Sequence, residues 1–185
     1  MDTHRIAVLV GSLRTDSLNR KLATALAGLA PKDFTFAQVR IDDLPLYNQD
    51  NDGNPPEPVR RLKNDIANAQ GVLFVTPEYN RSVPGVLKNA IDHASRPYGQ
   101  SSFAGKPAGV LGISVGQLGT SMAQQHLRNI LAYLDMPTLG QPEVFLQKRE
   151  GFFDDKGGIG IEDTRRFLQS WMDRYVEWVR RHAAM

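Results

Sequence analysis

Cysteine is absent from this chain of 185 residues. That excludes disulfides, thiolate metal sites and cysteine nucleophiles together. Long apolar runs are missing as well. No stretch approaches the roughly 20 apolar residues that a bilayer-spanning helix requires, so no membrane contact is expected. The apolar run near the N-terminus, Ile6 to Val10, is too short for a signal peptide and no small-residue cleavage site follows it. A cytoplasmic protein is therefore the expectation. Excess charge is scarce too: 22 Lys and Arg oppose 20 Asp and Glu, a net +2, with a pI near 9.0. Such a surplus suits small anionic ligands but does not make a nucleic-acid footprint. The basic pairs Arg60-Arg61, Arg165-Arg166 and Arg180-Arg181 fall on predicted helices and read as solvated faces. The four histidines, His4, His93, His126 and His182, lack the neighbours of a catalytic triad. No metal site is expected either. Asp50-Asn51-Asp52-Gly53 looks like the start of a calcium loop, but its glycine comes too early and no glutamate closes it. It reads as a turn.

What is present is a regular alternation of strand and helix signals. Arg5–Val10 reads as a strand. Leu18, Leu22, Leu26 and Leu29 then mark one face of a helix that stops at Pro31. Phe34–Ile41 reads as a second strand and 47–58 as a polar, proline-rich loop. Val59, Leu62, Ile66 and Ala69 mark a second helix, with Gly71 as its stop. Val72–Thr76 is a continuous apolar run, as in a strand buried on both faces. A third helix is predicted over about 82–95 with Pro84 in its first turn, and a strand over 107–114. A fourth helix runs to about Asp135, a last strand covers 138–145, and a last helix spans about 161–182. The aromatics of that helix, Phe167, Trp171, Tyr175 and Trp178, recur at helical spacing and read as core or interface. Five strands alternating with five helices predict an α/β fold: a single domain with a parallel sheet between helices on both faces. With only five strands, the flavodoxin-like order 2-1-3-4-5 is expected.

In such sheets a ligand lies beyond the carboxyl ends of the strands, where the order reverses. Three turns meet there. The first, Gly11-Ser12-Leu13-Arg14-Thr15-Asp16-Ser17-Leu18-Asn19, joins a strand to a helix. A helix N-terminus offers unpaired amides and the positive end of its dipole. Ser12, Ser17 and Asn19 add donors, and Arg14 adds a fixed positive charge. This pattern points to a phosphate monoester, although the plainest reading makes Ser17 a helix cap and Arg14 a solvated cation. The turn lacks the later glycines of the dinucleotide fingerprint and the Gly-Lys-Ser/Thr ending of the P-loop. The second turn, Pro77-Glu78-Tyr79-Asn80-Arg81-Ser82-Val83-Pro84-Gly85, exposes an aromatic, an amide and a carboxylate together. It suits the edge of a flat heteroaromatic ring, or else is a turn in which Asn80 bonds its own backbone. The third turn is Val115–Thr120.

Gly-Ser-Leu-Arg-x-x-Ser-x-Asn, followed by Thr-Pro-Glu-Tyr-Asn-x-Ser-x-Pro-Gly-x-Leu-Lys-Asn-Ala-Ile-Asp, resembles the NAD(P)H-dependent FMN reductase family, which includes soluble quinone, azo-dye and chromate reductases. The resemblance runs from Ile6 to Val144. It implies that Ser12, Arg14, Ser17, Leu18 and Asn19 hold the FMN phosphate. It implies that Pro77, Glu78, Tyr79 and Asn80 line the isoalloxazine ring, largely through backbone groups, and that Ser114, Val115 and Gly116 support it. By the same resemblance NADPH or NADH is the electron donor and a quinone, flavin, azo compound or chromate the small-molecule acceptor. The resemblance also implies a homodimer or homotetramer whose neighbouring subunit closes the site. The chain departs from the pattern at Gly119-Thr120, where relatives often carry a double glycine. No protein group is expected to act as catalyst, because flavin N5 carries the chemistry. The alternatives are a non-enzymatic, flavodoxin-like electron carrier and a nucleotide-binding regulatory module. His126 and Arg128 are expected to face a subunit partner or solvent. Phe152-Phe153, two adjacent phenylalanines in a polar loop, is expected to make a subunit contact or a lid.

Overall fold

The strand β1 (His4–Val10) is buried along its last five residues, as an apolar run in a central strand must be. It pairs on one side with β2 (Phe34–Gln38) and on the other with β3 (Gly71–Val75), both in parallel register. The strand β3 pairs in turn with β4 (Ala108–Ser114), and β4 with β5 (Phe145–Gln147). The sheet order is therefore 2-1-3-4-5, as the alternation predicts. The computed structural model describes residues 3–183.

Helices cover both faces. On one, α1 (Leu18–Ala27) and α5 (Glu162–Ala183) bury Leu22, Leu26, Trp171, Tyr175 and Val179 against Val8, Leu73 and Leu111. On the other, α2 (Glu57–Ala67), α3 (Gly85–Ser95) and α4 (Ser121–Tyr133) bury Leu62, Ile66, Leu87, Ile91, Leu127 and Leu131 against Leu9, Phe74 and Val110. Alternate residues of each central strand thus feed opposite cores, the period-2 geometry of a pleated strand.

Several boundaries differ from the sequence expectation. The second strand ends at Gln38, short of Ile41, because β1 supplies register partners only from His4↔Phe34 to Val8↔Gln38. Val39 adds one more bond, to the Val8 carbonyl at 2.9 Å. The last strand is not 138–145. Thr138 makes an isolated bridge to Ala108, Pro142 then breaks the ladder for want of an N–H, and pairing resumes only at Phe145. Gly71 is not a helix stop: α2 ends at Ala67 with Asn68 as its C-cap, and Gly71 opens β3. The third helix starts at Gly85, with Pro84 as its N-cap, because 79–82 is taken by a separate tight turn. Of the α5 aromatics, Trp171 and Tyr175 are buried, Trp178 is partly buried, and Phe167 faces outward.

Candidate active site at the carboxyl ends of the central strands

Val10 is in register with Val75, and Val75 with Leu111, so β1, β3 and β4 end level. One further ladder bond each, Gly11 N–H to the Val75 carbonyl and Thr76 N–H to the Leu111 carbonyl at 3.0 Å, carries that alignment past the strand ends. The three turns therefore leave the sheet side by side. Between them lies a cavity of about 180 Å³ lined by Ser12, Arg14, Ser17, Leu18, Asn19, Pro77, Glu78, Tyr79, Ile113, Ser114 and Val115. Asn80 and Gly116 stand just outside that lining. Ile113 is the lining residue that sequence reasoning missed, and an apolar residue inside a strand carries no signal of it.

Ser17 is the N-cap of α1. Its hydroxyl oxygen accepts from the Arg20 amide at 3.2 Å, and its carbonyl accepts from the Lys21 amide at 3.0 Å. The hydroxyl proton stays free to donate. The amides of Leu18 and Asn19, at the positive end of the helix, and the hydroxyl of buried Ser12 find no partner among the described residues. The ion pairs of this region are Lys21–Asp16 at 4.0 Å and Arg81–Glu78 at 3.5 Å. The exposed Arg14 belongs to neither. A set of free donors beside a guanidinium that has no ion-pair partner among the described residues, at a helix N-terminus, fits a terminal phosphate. The capping reading of Ser17 and the phosphate reading are therefore compatible.

Asn19 plays a different part from that expected of a phosphate donor. Its side chain is buried and spans to β4, donating to the Ile113 carbonyl and accepting from the Ile113 amide, both at 3.0 Å. Only its backbone amide remains for a ligand.

In the second turn, Tyr79 and Ser82 exchange backbone bonds of 3.2 and 3.0 Å. Asn80 and Arg81 between them have φ of 51° and 63°. These are the left-handed values of a tight hairpin turn, adopted here without glycine. Tyr79 is 47% exposed and forms one wall of the cavity mouth. Val115, which lines the same cavity from the third turn, is 74% exposed, on a turn in which the Ser114 hydroxyl accepts from the Gly116 amide at 2.9 Å. The result is a cleft with an aromatic wall, an aliphatic wall and backbone polar groups along its edges, the surroundings a planar conjugated ring requires.

Thr120 does not enter this cleft. It is fully buried, and its hydroxyl accepts from the Gln124 amide group at 2.9 Å. The bulk of Thr120 is taken up by β4, where Gly112 stands opposite. A Cβ on Gly112 would lie 2.3 Å from Thr120 Oγ1 and 2.1 Å from the Thr76 carbonyl oxygen. Gly119 keeps a φ of +61° and passes so near Phe145 and Leu146 that a Cβ there would meet their backbone at 2.8 to 2.9 Å.

His126 stays exposed on α4, within the expectation of a partner-facing or solvated residue, whereas Arg128 is partly buried and turns to its own chain. His126 Nδ1 lies 3.0 Å from Ser82 Oγ, and Arg128 donates to the Leu139 carbonyl at 2.9 Å, with burial lowering its pKa. Phe152 is buried in the core beneath α1 and α5, and Phe153 packs against that core, their rings edge-on at 4.9 Å. The chain itself covers Phe152, which corrects the expectation of a subunit contact or lid for that residue, while Phe153 is only partly buried and lines a surface pocket with Thr15 and Ser17. The Asp50–Gly53 segment holds a short 3-10 turn, Gln49–Asn51, capped by the Asn48 side chain on the Asp50 amide.

The model of the NADPH-dependent FMN reductase family matches residues 4–151, a span that contains all three turns. The chain belongs to that family. A 2-hydroxy-1,4-benzoquinone reductase from Burkholderia sp is 57% identical over 176 residues, covering 95% of this chain and 96% of that one. A quinone reductase from Pseudomonas putida is 48% identical over 183 residues, covering 98% of both. Among solved structures, the flavoenzyme NAD(P)H:(acceptor) oxidoreductase FerB from Paracoccus denitrificans superposes with a TM-score of 0.93 at 45% identity, covering 97% of this chain and 99% of that one. These matches to members and likenesses of the FMN reductase family extend beyond residue 151 through α5, so the last helix is part of the shared fold.

Proposed function

We propose that this protein is an NAD(P)H-dependent FMN reductase that passes electrons from a nicotinamide to a quinone. The observation that carries the reading is the cavity in which the unpaired Arg14, the free hydroxyls of Ser12 and Ser17 and the amides of Leu18 and Asn19 converge beside the Tyr79–Val115 cleft. Those residues would hold FMN, which would supply the redox chemistry between nicotinamide and acceptor. The chain's own residues bind and orient. Arg14 and the α1 N-terminus neutralise the phosphate. Ser12 and Ser17 donate to its oxygens. Pro77, Glu78, Tyr79 and Asn80 would line the flavin ring, largely through their backbone, and Ser114, Val115 and Gly116 would support it. The exposed side of the cleft admits nicotinamide and acceptor in turn. A carrier role is disfavoured, since full-length relatives are reductases. The protein acts as one domain, in the cytoplasm, as a homodimer or homotetramer, which light scattering of the purified protein measures.

The deciding experiment is a visible spectrum followed by anaerobic titration with NADPH and with NADH, then re-oxidation with a benzoquinone. A flavin band that bleaches with nicotinamide and returns with quinone is expected. A folded protein that neither carries nor takes up FMN overturns the reading, and one that carries FMN but is not reduced by either nicotinamide restores the carrier. Arg14→Ala should weaken FMN binding by about 10- to 100-fold, the scale of a charge-assisted contact, measured by quenching of flavin fluorescence. Arg14→Lys should recover part of that loss.

A further inference from the structure

The helix α4 begins without a cap of its own. Its N-cap residue, Thr120, makes no side-chain capping bond, its hydroxyl being directed to Gln124, and the first turn has no acidic residue. The orphan amides are nevertheless matched. Ser121 N–H bonds the Leu118 carbonyl at 3.2 Å and Gln124 N–H the Thr120 carbonyl at 2.9 Å. The remaining two, on Met122 and Ala123, donate to a single carboxylate oxygen, Oε2 of Glu78, at 3.0 and 3.1 Å. A carboxylate at the positive end of a helix is stabilised by the dipole as well as by the bonds. Its other oxygen lies 3.5 Å from Arg81. The Glu78 side chain is only 10% exposed.

One helical turn further on, His126 meets Ser82 at 3.0 Å. So α4 grips the tight turn at both ends, Glu78 before it and Ser82 after it. Between those points lie Asn80 and Arg81 in left-handed conformations, which non-glycine residues keep only when their surroundings hold them. The same helix follows directly from the turn that carries Val115 and Gly116.

We infer that Glu78 is a positioning residue: with the Ser82–His126 bond, its carboxylate clamps the 78–82 turn to α4 and so fixes the separation of the two walls between which the flavin ring sits. The inference rests on the FMN reading above. It assigns to the acidic side chain of the second turn a role distinct from touching the ring. The turn presents its backbone to the cofactor, and the side chain holds the turn. Hydrogen bonds at the ring edge tune the oxidised and reduced forms differently, so loosening the clamp changes the flavin itself as well as its retention.

The test compares purified Glu78→Ala, Glu78→Gln and Ser82→Ala holoproteins with wild type, with Arg14→Ala as reference. Glu78→Ala should release FMN about tenfold faster on dilution. It should also shift the visible flavin band and move the midpoint potential by about 30 mV, which is a tenfold change in relative affinity for the two redox forms. Glu78→Gln should stay near wild type, because one amide oxygen can still accept both backbone bonds. Arg14→Ala should release FMN while leaving the band position and potential of the bound fraction unchanged, since it acts on the phosphate. If Glu78→Ala and Glu78→Gln are equally perturbed, the effect is one of charge and the clamp is overturned. A wild-type spectrum, potential and release rate in Glu78→Ala overturns it too. Should Glu78→Ala not fold, Ser82→Ala decides: release about threefold faster with a shifted band supports the clamp, and unchanged values overturn it. Wild-type protein that binds no FMN fails the functional reading instead.

Discussion

Asn19 shows how much one buried side chain can settle. Its amide reaches from α1 across to β4 and satisfies both backbone groups of Ile113, 94 residues away. Replacing it by alanine leaves a buried N–H and a buried carbonyl without partners, at about 1–3 kcal/mol for each unsatisfied group. Urea unfolding of Asn19→Ala should therefore show a loss of about 2–6 kcal/mol, and a loss under 1 kcal/mol counts against the latch. Tyr175 carries the opposite lesson. Its ring stacks on Trp171 at 5.3 Å in the core, but its hydroxyl is buried with no partner among the described residues, and burial pushes its pKa well above the ordinary 10.0. The folded protein keeps a proton that the unfolded chain gives up above about pH 10. This contribution is intact below that pH and is lost as pH rises toward the folded value, by about 1.4 kcal/mol per unit for one proton. Tyr175→Phe should match or exceed wild-type stability near neutrality and show a shallower alkaline decline. Denaturant unfolding at pH 8 and at about pH 11 tests both, and parallel slopes would reject the assignment.

At the level of elements, β4 is the strand with the tightest fit. Thr76 and Thr120 close over Gly112 so fully that no side chain can stand there. Gly112→Ala should destabilise by about 3 kcal/mol or more, an overpacking cost without room for relaxation. Adding Thr120→Gly should recover only part of that loss, because the Thr76 carbonyl is backbone and stays in place. Gly53→Ala, where a Cβ meets nothing within 4 Å, should be nearly neutral by comparison. Thermal melts of the three variants order them, and a Gly112→Ala protein as stable as Gly53→Ala would refute the steric account. The helices were the most legible elements because Leu22, Leu26, Leu62, Ile66, Leu127 and Leu131 repeat at the helical period. The edge strands were least legible. β5 was displaced because the residues 138–145 look extended locally, while Pro142 forbids the pairing that would make them a strand.

Across the whole molecule, the two cores hold a sheet whose central strands end level, and the candidate cleft opens where α1 and α4 begin. The first turn, the second turn and the third belong to segments that touch only after folding. Binding FMN to the native state alone should therefore stabilise the entire domain. At a free concentration about 100 times the dissociation constant the gain is about 2.7 kcal/mol, visible as a rise in melting temperature of flavin-stripped protein on adding FMN. Riboflavin, which lacks the phosphate, should give a much smaller rise, and Arg14→Ala should narrow the gap between the two. Equal shifts for both ligands would count against the phosphate grip.

The periodicities alone determined the layered α/β architecture, the strand order and the place where three polar turns meet, since each follows from residues within one element or from rules of connection that hold for all such chains. The same local information marked Ser12, Arg14 and Ser17 as anion donors. Only the tertiary structure decided which of these groups stay unpaired. It turned Asn19 into a latch, sent Thr120 inward over Gly112, buried Phe152 in its own core and gave α4 a cap from Glu78, 44 residues earlier in the chain than Met122. The physical reason is common to all four: a side chain's periodicity is fixed by its neighbours in sequence, whereas its hydrogen-bond and packing partners are fixed by segments that only folding brings within reach.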